Sequence, residues 1–197
     1  MRNFLLLALV CLVAACSSPG SLSYTPETPP IPALGLRDTV SAVVVYDSRD
    51  EKPNRLATIR GGYGNPIKVL DTPIPVADVV AAVWTTALNR RQMLAPTGPF
   101  RFQIVMKTLY GDQFMGRKAE LLMDLAVYNR AGQVVYRDTV KDGSYNFTLF
   151  DNGIFASIDD LRKKVEILLS QGIDRMLDKR QLNDALTSPR PLDTPAT

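Results

Sequence analysis

The chain has 197 residues, of which 46% are hydrophobic and 22% are charged, a composition typical of one globular domain with tails. Its net charge of +3 includes no dense block of Lys and Arg, and Arg90 and Arg91 stand as an isolated pair, so the charge does not indicate a nucleic-acid-binding protein. The absence of histidine excludes catalytic triads with an imidazole base and zinc sites with histidine ligands. No cofactor or metal site is predicted.

The first residues have the pattern of a signal sequence. Arg2 precedes an uncharged apolar run at positions 4–15. That run spans only about 12 residues, whereas a membrane-spanning helix needs about 20. The run ends in Val-Ala-Ala-Cys16, which resembles the lipobox of bacterial lipoproteins. The resemblance implies that residues 1–15 are removed and that Cys16 carries the lipid. An ordinary secretory signal or a buried N-terminal helix are the alternatives.

The position after the lipobox cysteine bears on sorting. In enterobacterial lipoproteins, an Asp directly after the lipidated cysteine implies retention in the inner membrane. This chain has Ser17 at that position. The resemblance therefore implies the outer membrane, on its periplasmic face. Residues 16–37 contain five prolines among Ser, Thr and Gly, and are predicted to form an unpacked tether that could reach on the order of 60 Å. Residues 187–197 are predicted to form a second disordered tail.

The segment between the tails alternates strands and helices. Residues 40–46 are β-branched and predict a buried strand, residues 47–65 a polar, Gly-rich loop, and residues 67–70 a short strand. A helix is predicted over 76–93, with Trp84 on its buried face. Strands over 100–110, 119–127 and 134–140 follow, with a hairpin at Gly132. A last helix begins after Ser157, and Gly172 in its interior predicts close packing on the sheet.

This order, β-β-α-β-β-β-α, predicts an α+β two-layer sandwich over residues 38–186. The expected sheet is mostly antiparallel and has about five strands, with two amphipathic helices on one face. The strands that start at Val40 and Val134 are candidates for exposed sheet edges, which could accept a strand from a partner.

The chain resembles the YajG family of bacterial lipoproteins over roughly residues 38–186. The likeness is carried by the Asp-Ser-Arg at 47–49, by residues 88–93 and 127–136, by the Asp-Gly-Ser-Tyr-Asn at 142–146, and by the final helix. The family is similar to other small envelope lipoproteins, among them auxiliary lipoproteins of ABC-type lipid transporters and activators of penicillin-binding proteins, which act by contact. The resemblance implies no catalytic residues.

Two clusters and one serine are candidates for chemical sites. Asp47, Asp50 and Glu51 could form a carboxylate pair or a cation site, but a solvated loop with Asp47 paired to Arg49 is favoured. The glycines at 61, 62 and 64 lack the Lys-Ser or Lys-Thr of a phosphate-binding loop, which favours a mobile hairpin loop. Ser144 has no histidine partner and no Ser-x-x-Lys pattern.

Arg55, Arg60 and Tyr63 are the predicted partner-contact residues, because Arg and aromatic side chains are enriched at protein interfaces. A surface loop with scattered residues is the alternative. The predicted function is that of a membrane-anchored periplasmic lipoprotein, not an enzyme, that contacts another envelope protein. An auxiliary lipid-binding subunit of an ABC-type lipid transport system is the alternative.

Overall fold

The computed structural model describes residues 21–30, 35–114, 116–147 and 156–192; residues 146 and 147 are described by their backbone alone. Cys16 lies outside these residues. The described chain forms six strands and three helices: β1 (Val40–Asp47), β2 (Arg55–Arg60), β3 (Pro66–Asp71), α1 (Val76–Arg90), β4 (Phe100–Gln113), β5 (Gly116–Tyr128), β6 (Val134–Phe147), α2 (Ile158–Leu177) and α3 (Arg180–Thr187).

The long strand β4 organises the sheet, whose order is β3-β2-β4-β5-β6. Along one side it pairs antiparallel with β5. Along the other side it pairs in parallel with β1 over its first half and with β2 over its last three residues. The β2–β3 and β5–β6 pairs are antiparallel. The predicted α+β two-layer sandwich with a mostly antiparallel sheet is confirmed, with six strands instead of about five.

Strand β2 lies within the loop predicted over residues 47–65, so that prediction is wrong for residues 55–60. Its four central residues are all buried, so it lacks the polar alternation by which a half-exposed strand is recognised. The prediction of a fully buried strand at residues 40–46 is also wrong. Strand β1 is an edge strand, in which Val44 and Tyr46 are 36% and 53% exposed.

The two longer helices pack as predicted on one face of the sheet. Trp84 is fully buried on α1, and its ring stands edge-on to that of Phe102 at 6.4 Å between centroids. The side chain of Ser157 caps α2 by accepting a hydrogen bond from the backbone N–H of Asp160 at 3.2 Å. Gly172 lies so close to the sheet that a Cβ there would overlap the Leu121 side chain. The prediction of close packing at Gly172 is confirmed.

Both predicted tails are partly packed. Leu22 and Tyr24 are only 8% and 3% exposed, so the prediction of an unpacked tether is wrong for residues 22–24. Helix α3, which was not predicted, buries Leu182 and Leu186. In the tail beyond it, the backbone N–H of Leu192 donates to the carbonyl oxygen of Val134 at 2.9 Å. Of the helices described, none has both the length and the apolar character required to cross a bilayer.

Candidate interaction surface

One face of the sheet carries the helices, and we call the other the open face. Its residues alternate along β4 with those of the core: Ile104 and Met106 are fully buried, whereas Val105 between them is only half-buried. Two cross-strand rows lie side by side on the open face, as strand register places Val44 beside Gln103 and Ala126, and Tyr46 beside Val105 and Asp124. The open face therefore presents aliphatic and aromatic side chains next to the β1 edge.

Charged residues surround this apolar centre. The Arg101 guanidinium lies 5.3 Å from the centroid of the Tyr128 ring, within cation–π range. Lys107 and Asp124 form an ion pair at 2.5 Å, and the hydrogen bond from Lys107 lowers the pKa of Asp124. Thr139 on β6 also donates to Asp124 at 2.8 Å. An apolar centre with Tyr and Arg and a polar rim is the composition of a protein–protein interface.

Three strands of the sheet have an unpaired side within the described residues. β1 pairs only with β4 apart from an isolated bridge between Val40 and Leu94, β3 pairs only with β2, and β6 pairs only with β5. The prediction that the strands starting at Val40 and Val134 lie at sheet edges is confirmed. Their first residues are themselves bonded, Val40 to Met93 and Ala95 and Val134 to Leu192. Strand β3 adds exposed Ile67 and Val69 at its own edge, at 41% and 44%. Unpaired edges can bind a further strand through backbone hydrogen bonds.

The three predicted contact residues are not brought together. Arg55 and Arg60 lie at the two ends of β2, about 17 Å apart along the strand. Arg55 is paired with Asp71 at 2.5 Å and Arg60 with Asp112 at 2.6 Å, so both guanidinium groups are engaged within the domain. Only Tyr63, at the tip of the β2–β3 hairpin, is fully exposed.

Of the three acidic residues considered near the end of β1, Asp47 is held in place by Arg49. Arg49 donates from Nη2 to Asp47 Oδ2 at 2.8 Å and from Nη1 to the carbonyl oxygens of Arg55 and Leu109 at 2.8 and 3.0 Å. The favoured pairing of Asp47 with Arg49 is confirmed. Burial alone would raise the pKa of Asp47, but the hydrogen bonds from Arg49 outweigh it and lower that pKa.

The glycine-rich segment is a tight hairpin turn and not a cradle for a ligand. Gly61 donates its N–H to the carbonyl oxygen of Asn65 at 2.8 Å, and Gly64 adopts a positive φ of 79°. Ser144 lies in β6 opposite Ala119. In the part of the chain that the structure describes, no three acidic or cysteine side chains are grouped so that they could hold a metal ion.

Arg91 lies at the centre of a buried polar cluster that the sequence did not predict. Arg91 is 4% exposed and donates from Nη1 to the hydroxyl of Tyr24 at 2.6 Å. Its Nη2 donates to Asp174 at 2.9 Å and to Asp178 at 3.0 Å. The Tyr24 hydroxyl in turn donates to Asp174. Burial and the hydrogen bond to Asp174 raise the pKa of Tyr24 to about 12. No local sequence pattern joins residues so far apart, which is why sequence reasoning missed this cluster.

No protein-family model and no curated protein matches this sequence. Among solved structures, the fold is similar to XCC0632 from Xanthomonas campestris, assigned to the family DUF330, with a TM-score of 0.59 at 13% identity over 85% of this chain and 98% of that one. PelC from Paraburkholderia phytofirmans, crystallised as a dodecamer, has a TM-score of 0.41 at 9% identity over 75% of this chain and 92% of that one. Lipoprotein GNA1162 from Neisseria meningitidis has a TM-score of 0.31 at 9% identity over 72% of this chain and 99% of that one. At 13% identity, the likeness to XCC0632 concerns the fold alone.

Proposed function

We propose that this chain is a bacterial envelope lipoprotein, similar in type to the YajG family, anchored through lipid on Cys16 to the periplasmic face of the outer membrane. Its domain works as a non-catalytic module that contacts another envelope protein. The observation that carries the proposal is the open face, where exposed Val44 and Tyr46 and half-buried Val105 lie beside the unpaired edge of β1.

The open face suits a protein partner better than a small ligand. It offers aromatic and aliphatic side chains at its centre and charged groups at its rim, and β1 adds backbone groups that a partner strand could bind. Catalysis is not part of the proposal, because the chain has no histidine and its best-placed carboxylates are held by arginines. Asp47 is bound to Arg49, and Asp112 is bound to Arg60.

The anchor is tested by metabolic labelling with a palmitate analogue. The wild-type protein should take up label and sediment with membranes, and Cys16→Ser should do neither. Label retained in Cys16→Ser would show that the lipid is attached elsewhere and would contradict the proposed anchor.

The partner contact is tested by photocrosslinking in living cells. A photoreactive phenylalanine analogue is placed at Tyr46 on the open face or at Ile167, a control on the outer side of α2 that is similarly exposed, at 48%. We expect one dominant protein adduct from position 46, absent at 167, and lost when Val105→Arg is added. Recovery of lipid without a specific protein adduct would contradict the proposal and favour the lipid-binding alternative.

A further inference from the structure

Residues 21–30, which we call the strap, are bound to the outer side of the helix layer. The carbonyl oxygen of Ser21 accepts from Arg162 Nη1 at 3.4 Å, near the start of α2. The N–H of Thr25 donates to Ser170 Oγ at 3.0 Å, two turns further along the same helix. The strap therefore follows α2 from its N-terminal end towards its C-terminal end.

Tyr24 fixes the strap between the two long helices. Its hydroxyl is held by Arg91, at the end of α1, and by Asp174 on α2, and Arg90 stands 5.3 Å from its ring centroid. Glu27 adds a hydrogen bond from the side-chain amide of Gln171 at 3.2 Å. Because these contacts come from both helices, the strap is docked on the domain and is not part of a flexible linker.

The docked strap shortens the link to the membrane. Only four residues separate Cys16 from Ser21. Five peptide steps can span at most about 18 Å, compared with the 60 Å or so of an unpacked tether. The point where the chain leaves the domain lies on the helix layer, so this layer must stay close to any lipid on Cys16.

We infer, resting on the proposed lipid anchor at Cys16, that the strap turns the helix layer towards the bilayer and holds the open face away from it. The first half of α2 is then the membrane-facing surface. The helix layer and the sheet layer are each about 10 Å thick, so about 20 Å separates the outer side of α2 from the open face. A link of about 18 Å cannot reach around that thickness and bring the open face to the lipid.

Charge contributes little to this orientation. The basic residues near the start of α2 are largely balanced: Arg162 pairs with Asp159 and Glu166, and Arg117 lies 3.5 Å from Asp160. Lys163 is exposed, and burial followed by repulsion from Arg117 lowers the pKa of Lys164, which leaves a small positive excess. The orientation therefore follows from the length of the link, and we expect it to persist in high salt.

Fluorescence energy transfer to acceptor lipids tests the orientation in the full lipidated chain reconstituted into phospholipid vesicles. A single donor dye is attached through Lys163→Cys on α2 or through Arg137→Cys on the open face; both positions are exposed. We expect the donor at 163 to lie about 20 Å nearer the acceptor plane than the donor at 137. If the protein floats with the vesicles and the two distances are equal or reversed, the inference is overturned while the anchor stands. If the protein does not float, the proposed anchor fails and the inference fails with it.

Two further variants test whether the short link between Cys16 and the docked strap causes the orientation. A Gly-Ser insert of about 20 residues between Ser17 and Ser21 adds a mean span of about 25 Å without touching the domain. Tyr24→Ala releases the strap itself. We expect either change to remove the difference between the two donors, and 1 M NaCl to leave the difference in the wild-type sequence intact. A difference that survives both variants, or that disappears in salt, would overturn the inference.

Discussion

Removing the Tyr24 side chain is expected to detach the strap while leaving the domain folded. Burial of a ring of this size contributes about 1.5–3 kcal/mol, and its hydrogen bonds to charged groups about 1.5–3 kcal/mol more. Tyr24 is the most deeply buried side chain of the strap, so we expect docking of the strap to depend on it. Once the strap is released, the lost contacts no longer affect the rest of the domain, so the effect of the substitution is limited to the free energy of docking. We therefore expect Tyr24→Ala to lower the unfolding free energy by on the order of 2 kcal/mol.

Hydrogen exchange measures this detachment directly. At 2 kcal/mol, the amides of the strap should lose roughly 30-fold protection in Tyr24→Ala, among them the N–H of Thr25 that bonds to Ser170. The amides of β4 and β5 should keep their protection. Tyr46→Ala is the matched control, since Tyr46 is 53% exposed and makes no strap contact. Unchanged exchange in the strap, or general loss of protection across the sheet, would refute the reasoning.

Three further predictions follow from particular contacts. Gly98→Ala should lower the free energy of unfolding in urea by about 1–3 kcal/mol, because the new Cβ would stand 2.6 Å from the backbone carbonyl carbon of Val40. The control Gly62→Ala should change it little, because no atom lies within 4 Å of a Cβ there. Equal losses of stability in the two variants would contradict this packing. Emission from Trp84 should be blue-shifted in the native state and red-shifted in urea, and a solvent-like native spectrum would contradict its burial. The folded-state pKa of Tyr24 is raised from 10.0 to about 12, so its contribution to strap docking is fully present below pH 10 and is lost as pH rises through 12. In hydrogen exchange, Tyr24→Phe should remove this pH-dependent loss of strap protection. A pH profile that Tyr24→Phe leaves unchanged would contradict the Tyr24 contacts.

The fold could largely be predicted because most elements carry their own periodicity. Strand β4 alternates between buried and exposed residues, and α2 repeats its apolar residues at helical spacing from Leu161 to Met176. Strand β2 could not be recognised in this way. It is short and buried on both faces between β3 and β4, so its sequence lacks the alternation that identifies a strand.

The candidate site was harder to predict, because it depends on contacts between distant residues. Val44 and Tyr46 have strand propensity, but only the pairing of β1 at the sheet edge leaves them exposed. Tyr24 stands among prolines and polar residues, a composition that indicates an unpacked segment. Its burial depends on Arg91 and Asp174, which lie 67 and 150 residues away along the chain. Arg55 and Arg60 were selected by residue type, yet their carboxylate partners on β3 and β4 already bind them.

The most direct test of the proposed interaction is the size of the complex extracted from membranes in mild detergent. Tyr46→Arg places a charge on the open face, and Ile167→Arg places the same charge at a similarly exposed position of the helix layer. On native gels, the wild-type protein and Ile167→Arg should migrate in a complex larger than the 21.7 kDa chain, and Tyr46→Arg should migrate as the free lipoprotein at equal abundance. A complex that Tyr46→Arg retains, or a wild-type protein that migrates alone, would contradict the account.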